Sequence, residues 1–167
     1  MPPDQSSKDN TSPKRSLKGR LILASHMIQS GIFYQSVIYI SNYSKTRGTK
    51  GIIINIPTEN KVRDVISAPN LGGVGDLPLH VGGPIDSDKF CISQFSGKNQ
   101  QLTMRIFNSI EEAAQHANEP KSKLIATVGR AQWEPGQLED EIKEDGWFIL
   151  KPNDSLLELP FLSLIHI

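Results

Sequence analysis

Three short runs of aliphatic and β-branched residues constrain the fold more than any other feature of the chain. They are GRLILAS, SVIYIS and GIIINI, and all three fall in the first third of the sequence. Runs this short and apolar predict buried β-strands. Further strands are predicted at LPLHV, KFCISQF, QLTMRIF, KLIATVG and GWFIL, with SGKNQ as the turn of a hairpin between the second and third of these.

Helices are predicted in three places between the strands. The segment KVRDVIS follows Thr58 and Asn60, either of which can cap it. Ser109 and Glu112 have the spacing of a capping box at the start of a second helix. A third helix is predicted from Pro135 to Asp145. Because strands outnumber helices and cluster in pairs, the pattern predicts the α+β class.

Composition predicts one domain and a polar N-terminal arm. Residues 1–17 carry three prolines and little to bury, so we expect a disordered arm, followed by a single domain at residues 18–161. The only cysteine, Cys91, cannot form an intramolecular disulfide and indicates a reducing compartment. No apolar run has the roughly 20 residues that span a bilayer, and no signal peptide is recognisable. We therefore predict a cytoplasmic location and no membrane association.

Charge and motif content argue against several classes of function. The 18 basic and 18 acidic residues cancel, which disfavours direct nucleic-acid binding. The LGGVG loop lacks the pattern of a phosphate loop or a dinucleotide fingerprint. The four histidines have no metal-ligand spacing, and no Gly-x-Ser-x-Gly elbow is present. The sequence therefore predicts no cofactor, no metal and no catalytic residue.

The stretch WEPGQLEDEIKED contains a dense group of acids. Glu139 and Glu141 are two residues apart, so on a helix they point about 200° apart and cannot pair. We predict a helix with a solvated acidic side, in which Asp140 and Glu144 are exposed. The alternative is that Gln137 and Glu139 bind the neighbouring loop or a ligand.

Several segments in this order resemble the AlgH/YqgE family of bacterial proteins. They are GRLILAS, SVIYI, GIIIN, HVGGPI and VGRAQWEPGQLEDEIKEDGW, and together they extend from about Gly19 to about Leu157. The resemblance implies an α+β fold in which a bifurcated, mostly antiparallel β-sheet forms a pseudo-barrel with helices packed outside. It implies no particular reaction, although one branch of the family is labelled a transcriptional regulator.

The chain departs from the family pattern at three places. His26 stands where proline is common, Ser30-Gly31 replaces an Asp-Pro-like pair, and Ile56 replaces a lysine after Asn55. Any role of that lysine is therefore in doubt here. From the resemblance and the turn chemistry, the candidate ligand-binding residues are Asn55, Gly82, Gly83, Pro84, Trp133, Gly136, Gln137 and Glu139.

The C-terminal residues do not continue the family pattern. Related proteins typically have a tryptophan-containing terminal helix after a segment like DSLLEL, and LSLIHI stands in its place. That string resembles the translation of a transposase end sequence used in preparing sequencing libraries. We therefore predict that residues 162–167 are a non-native tail and that the domain lacks its C-terminal part.

Two hypotheses of function follow. The first is a non-enzymatic binding or regulatory module that engages a protein or small-molecule partner through the Gly82-Gly83-Pro84 turn and the Gly136-Gln137 loop. The second is an enzyme of unknown reaction with a site near Gln137, Glu139 and the same turn. The lack of an assembled nucleophile, base or metal set favours the first.

Overall fold

The structure, a computed structural model, describes residues 16–158. Nine strands occupy Leu21–Ala24 (β1), Val37–Ser44 (β2), Gly48–Ile53 (β3), Pro57–Lys61 (β4), Pro78–Val81 (β5), Ile85–Lys98 (β6), Gln101–Ile106 (β7), Ser122–Trp133 (β8) and Trp147–Leu150 (β9). Three α-helices occupy Val62–Val65 (α1), Ile110–Gln115 (α2) and Gln137–Lys143 (α3). Two 3-10 turns cover Gly72–Asp76 and Asp154–Glu158. The predicted tail, residues 162–167, lies outside the described residues, as do residues 1–15 of the predicted arm.

The strands form one branched sheet. The main path runs β4-β5-β8-β3-β2-β1-β9, and β6 joins β8 while carrying β7 on its other side. Every pairing is antiparallel except that of β5 with β8. The predicted α+β class and the bifurcated, mostly antiparallel sheet are confirmed. The sheet is open, however, because among the described strands β4, β7 and β9 end the pairing without closing a barrel.

Strand β8 is the branch point of the sheet. Its residues 122–130 pair with β6, and residues 126–128 also pair with β5. Its last residues, 131–133, pair instead with β3. The sheet therefore has two limbs, one of β1, β2, β3 and β9 and one of β4, β5, β6 and β7, and both share β8.

The two limbs pack face to face, and helices cover their outer faces. Between the limbs lies an apolar layer with members from both, including Tyr39 and Phe95, whose rings meet edge to face at 5.1 Å. The outer layer under α3 contains the other face of β2, and the layer under α1 and α2 contains Ala126 of β8. Burial of alternate residues in two different layers explains why the four central residues of SVIYIS, Val37 to Ile40, are all apolar or aromatic.

Local details differ from the sequence predictions at helix starts and at the arm. Helix α1 is capped by Lys61, whose backbone N–H donates to the Asp64 carboxylate at 2.7 Å. The prediction of a Thr58 or Asn60 cap is wrong, because both residues lie in β4. Leu17, assigned to the arm, is buried with 7% exposure.

The predicted hairpin and the second capping residue are confirmed. The β6–β7 turn has only two residues, Asn99 and Gln100, both with positive φ, as a tight hairpin requires. The Ser109 hydroxyl accepts a hydrogen bond from the Glu112 backbone N–H at 3.1 Å. In the described part of the chain, no helix is long and apolar enough to cross a membrane.

Candidate functional site

Helix α3, which carries the acid-rich segment, begins two residues later than predicted. Gly136 is the N-cap, with φ of 82°, and the helix starts at Gln137. Pro135 therefore precedes the cap, so the prediction that it occupies the first helical turn is wrong. The side-chain oxygen of Gln137 accepts a hydrogen bond from the Glu134 backbone N–H at 3.0 Å. This candidate residue thus binds the loop that enters its own helix.

The faces of α3 follow the predicted spacing. Leu138 is fully buried, and Ile142 packs against the same core layer. Asp140 and Glu144 are both exposed. The interpretation of these two acids as a solvated face is confirmed.

Glu141 has a role that the sequence did not reveal. Its Oε1 accepts hydrogen bonds from the indole N–H of Trp133 at 3.2 Å and of Trp147 at 3.0 Å. The two indoles are 3% and 4% exposed and meet edge to face at 6.1 Å. Phe33 packs against both rings. We call Glu141, Trp133 and Trp147 the tryptophan clasp; it ties the ends of β8 and β9 to α3.

Glu139 has a different neighbour. Burial foremost, and the negative charge of Glu139 in addition, raise the pKa of the Tyr43 phenol. The Tyr43 hydroxyl is buried and has no hydrogen-bond partner within residues 16–158. Glu139 thus lies near β2 while Glu141 binds the tryptophans, and the two carboxylates do not act as a pair.

Asn55 is fully engaged in holding the backbone of a loop. It is 7% exposed, its Oδ1 accepts from the Val37 N–H at 2.8 Å, and its Nδ2 donates to the Gln35 carbonyl at 2.9 Å. Both ends of the side chain are therefore occupied. The contacts join the end of β3 to the loop that precedes β2.

The Gly82-Gly83-Pro84 turn is a site of close backbone approach, where only glycine leaves enough room. The Gly82 N–H donates to Val128 at 2.7 Å, and its carbonyl accepts from Ile53 at 2.8 Å. A Cβ on Gly83 would overlap the carbonyl carbon of Arg130. The turn therefore crosses β8, and the Gly82 amide is not free to bind an anion.

Beside this crossing, the two limbs of the sheet diverge and leave a cavity of about 360 Å³. We call it the fork crevice. One wall carries Lys50 and Ile52 of β3, the opposite wall carries Lys89 and Cys91 of β6, and the shared strand β8 contributes Thr127. A volume of this order is at the lower end of ligand pockets. None of the eight candidate residues lines the fork crevice, although Gly82 and Gly83 abut its β8 wall.

A bulge shapes the mouth of the fork crevice. Between the pairs Ile85–Arg130 and Phe90–Val128, four residues of β6 lie opposite Gly129 alone. Gly129 has φ of 78°, and a Cβ on it would overlap the Gly83 carbonyl oxygen. Bulges of this kind re-aim side chains beside functional sites. Here the bulge contains Asp86 and Lys89, both of which line the cavity.

Two polar atoms at the fork crevice are buried without a hydrogen-bond partner among the described residues. They are the Thr127 hydroxyl and the Nε–H of Arg130. The remaining nitrogens of Arg130 donate to the Asp86 carboxylate and, at 3.0 Å, to Gln132. The hydrogen bond from Arg130 holds the pKa of Asp86 below its ordinary value, so this carboxylate stays ionised.

The three histidines within the described residues do not belong to a cluster that could hold a metal ion. His26 is exposed, and His116 contacts the Glu119 carboxylate at 2.5 Å. Burial lowers the pKa of His80, whose Nδ1 has no hydrogen-bond partner within the described chain. His166 lies outside the described residues. Within residues 16–158, no three His, Cys, Asp or Glu side chains are grouped so that they could hold a metal ion.

Two bacterial proteins illustrate the sequence similarity of this chain to known proteins. An UPF0301 protein of Laribacter hongkongensis is 29% identical over 143 residues, which cover 78% of this chain and 76% of that protein. An UPF0301 protein of Rickettsia massiliae is 28% identical over 158 residues, covering 84% and 80%.

Two solved structures share the fold. A Corynebacterium diphtheriae protein superposes with a TM-score of 0.66 at 20% identity and covers 93% of this chain and 85% of its own. The solution structure of the AlgH protein of Pseudomonas aeruginosa gives a TM-score of 0.60 at 24% identity, with coverage of 93% and 95%. A family model described as AlgH-like (DUF179) matches residues 21–160. The resemblance carried by the sequence motifs is thereby confirmed, and the chain belongs to the AlgH-like family.

Proposed function

We propose that this protein is a non-enzymatic binding module that holds a small molecule in the fork crevice. The observation that carries the proposal is the pair of unpartnered polar atoms there, on Thr127 and Arg130. A buried polar group without a partner costs about 1–3 kcal/mol, and native folds retain few of them. Both atoms are shielded from solvent, so a ligand that supplies both partners would offset that cost once the two side chains turn toward the cavity.

The contacts of the acid-rich segment favour a binder over an enzyme. Glu141 is bound to two indoles, Gln137 caps a loop, and Asn55 bonds to two backbone groups. These side chains are employed in holding the fold, which leaves less polar chemistry for a reaction near α3. In an enzyme, a general acid or base must reach the reacting atom directly or through one water.

Regulation and location form part of the same proposal. We propose that the protein acts in the cytoplasm and that a regulatory effect follows from ligand or protein binding rather than from contact with nucleic acid. The single cysteine and the balanced charge support this view. A transcriptional effect, as the family label suggests, would then pass through a partner.

Retention of a metabolite tests the proposal. The protein is incubated with a bacterial extract, passed through a desalting column and denatured, and the released molecules are identified by mass spectrometry. Thr127→Val and Arg130→Gln are treated in parallel, with Lys98→Gln as a control at the far end of β6. We expect a compound of unchanged mass on the wild type and the control, and its loss from both crevice variants.

Two results would contradict the proposal. One is the same set of retained molecules on all four proteins, which would place binding outside the fork crevice. The other is conversion of a metabolite into a product with multiple turnover and without a retained compound, which would establish an enzyme. The conversion should then also be tested in Glu139→Gln, because that residue belongs to the competing hypothesis.

A further inference from the structure

We infer that the ligand of the fork crevice is a small molecule bearing a phosphate monoester, bound by Arg130, Lys50 and Lys89 and hydrogen-bonded by Thr127. The inference deepens the proposed function and rests on it. Neither membership of the family nor the eight candidate residues indicates the chemical class of this ligand.

The charge of the lining favours a dianion. Three cationic side chains and one carboxylate line the fork crevice: Lys50, Lys89, Arg130 and Asp86. Asp86 is paired with Arg130, and Lys89 lies 3.7 Å from the same carboxylate. The lining keeps an excess of positive charge in a concave site with apolar walls, where electrostatic attraction is strengthened. A phosphate monoester carries about −1.5 to −2 charges at pH 7.

The free hydrogen-bonding atoms also suit phosphate. The Arg130 Nε–H can only donate, and Thr127, 1% exposed, can donate from its hydroxyl. Lysine ammonium groups from opposite walls add further donors without a fixed geometry. A phosphate presents three acceptor oxygens, whereas a carboxylate presents two. The three acceptor oxygens of a phosphate suit these donors better, because the donors come from three different strands.

The rest of the lining predicts an apolar or planar body on the ligand. Ile52, Phe90 and Ile106 line the fork crevice together with the backbone of Gly51. Cys91 lies among them, and burial raises the pKa of its thiol, so at neutral pH it adds no negative charge that would repel an anion. A cavity of about 360 Å³ admits a molecule of modest size.

A titration with defined probes tests the inference. Phenyl phosphate, benzoate and benzyl alcohol are added to the full chain at pH 7.5 and constant ionic strength, and affinity is measured by calorimetry. We expect phenyl phosphate to bind at least about tenfold more tightly than benzoate, because extra charged hydrogen bonds act on it. Arg130→Gln and Lys50→Gln should each weaken it about tenfold or more, and Lys98→Gln should leave it unchanged.

Thr127→Val adds a readout that a purely structural role would not give. It removes an unpartnered buried hydroxyl with little change of shape, so the melting temperature of the free protein should stay equal or rise while affinity for phenyl phosphate falls. A fall of both would indicate a structural role for Thr127 and would overturn the assignment.

The remaining outcomes separate the two proposals. Equal affinity for phenyl phosphate and benzyl alcohol, lost in the crevice variants, would overturn the phosphate assignment and leave a binding module for neutral molecules. Absence of binding by all three probes would overturn it as well, and the retained compound from the extract would then report the correct class. Binding of phenyl phosphate that survives both charge variants would place the anion elsewhere and contradict the proposed site.

Discussion

Substitution of Glu141 tests whether the acid-rich motif is a structural element. In Glu141→Ala, the indole N–H groups of Trp133 and Trp147 lose the oxygen that now accepts from them at 3.2 and 3.0 Å. A hydrogen bond to a charged group contributes about 1.5–3 kcal/mol. Because both donors share one oxygen of a half-buried side chain, we expect a combined loss of about 2–4 kcal/mol in the free energy of unfolding.

Two further variants calibrate this value. Glu141→Gln retains an acceptor oxygen and should lose about half as much, roughly 1–2 kcal/mol. Glu144→Ala removes the exposed acid at the C-cap of α3 and should lie within about 0.5 kcal/mol of the wild type. Since each alanine variant removes one glutamate side chain from the same helical region, a clearly larger loss in Glu141→Ala reports the tryptophan clasp.

Urea unfolding followed by tryptophan fluorescence measures the effect. The only tryptophans of the chain, Trp133 and Trp147, are the reporters, and the slope of free energy against urea should stay constant if only native-state contacts change. A loss in Glu141→Ala no larger than that in Glu144→Ala would refute the reasoning. The carboxylate would then be a solvated acid like its neighbours.

Three more predictions follow from contacts elsewhere. Asn55→Ala should lower the free energy of unfolding by about 2–3 kcal/mol, because it leaves a buried backbone N–H without an acceptor. Asn60→Ala on the exposed β4 should lower it by less than about 0.5 kcal/mol, and urea unfolding compares the two variants. Gly129→Ala should prevent or severely impair folding, because the added Cβ would overlap backbone atoms. Gly136→Ala has open space around it and should lower the free energy of unfolding by only about 1–2 kcal/mol because of its positive φ. Thermal unfolding followed by circular dichroism compares the two variants. Burial lowers the pKa of His80, so the unfolded state binds its proton more readily and stability should fall as pH drops below about 6.5. His80→Gln should flatten the stability profile between pH 7 and 5, and an unchanged slope there would contradict this assignment.

The elements that were predicted correctly are those whose burial can be recognised from a short run of neighbouring residues. Runs such as SVIYIS are apolar on both faces, because the strand lies between two core layers, and such a run needs no long-range information to be recognised. Helix α3 was placed within two residues of its ends, since Leu138 and Ile142 have helical spacing. The prediction failed at its first turn because Gly136 has a left-handed conformation that only the folded loop imposes.

Features that depend on pairing between distant strands were not predictable in this way. The strand predicted at KLIATVG stops at Gly129, yet β8 continues to Trp133 because β3 takes over its pairing. The spacing of Glu139 and Glu141 showed that they diverge but not that two indoles meet one of them. The fork crevice was missed for the same reason, since Lys50, Lys89 and Thr127 come from three strands far apart in sequence.

The central claim, that ligand enters the fork crevice while the acid-rich motif serves the fold, is tested most directly by a two-dimensional ¹H–¹⁵N NMR titration with phenyl phosphate. Backbone amides of Lys50, Gly129 and Arg130 should shift in a saturable manner, and the two indole N–H signals of Trp133 and Trp147 should remain in place. Saturable shifts of the indole signals, with the amides of the fork crevice unmoved, would contradict the account.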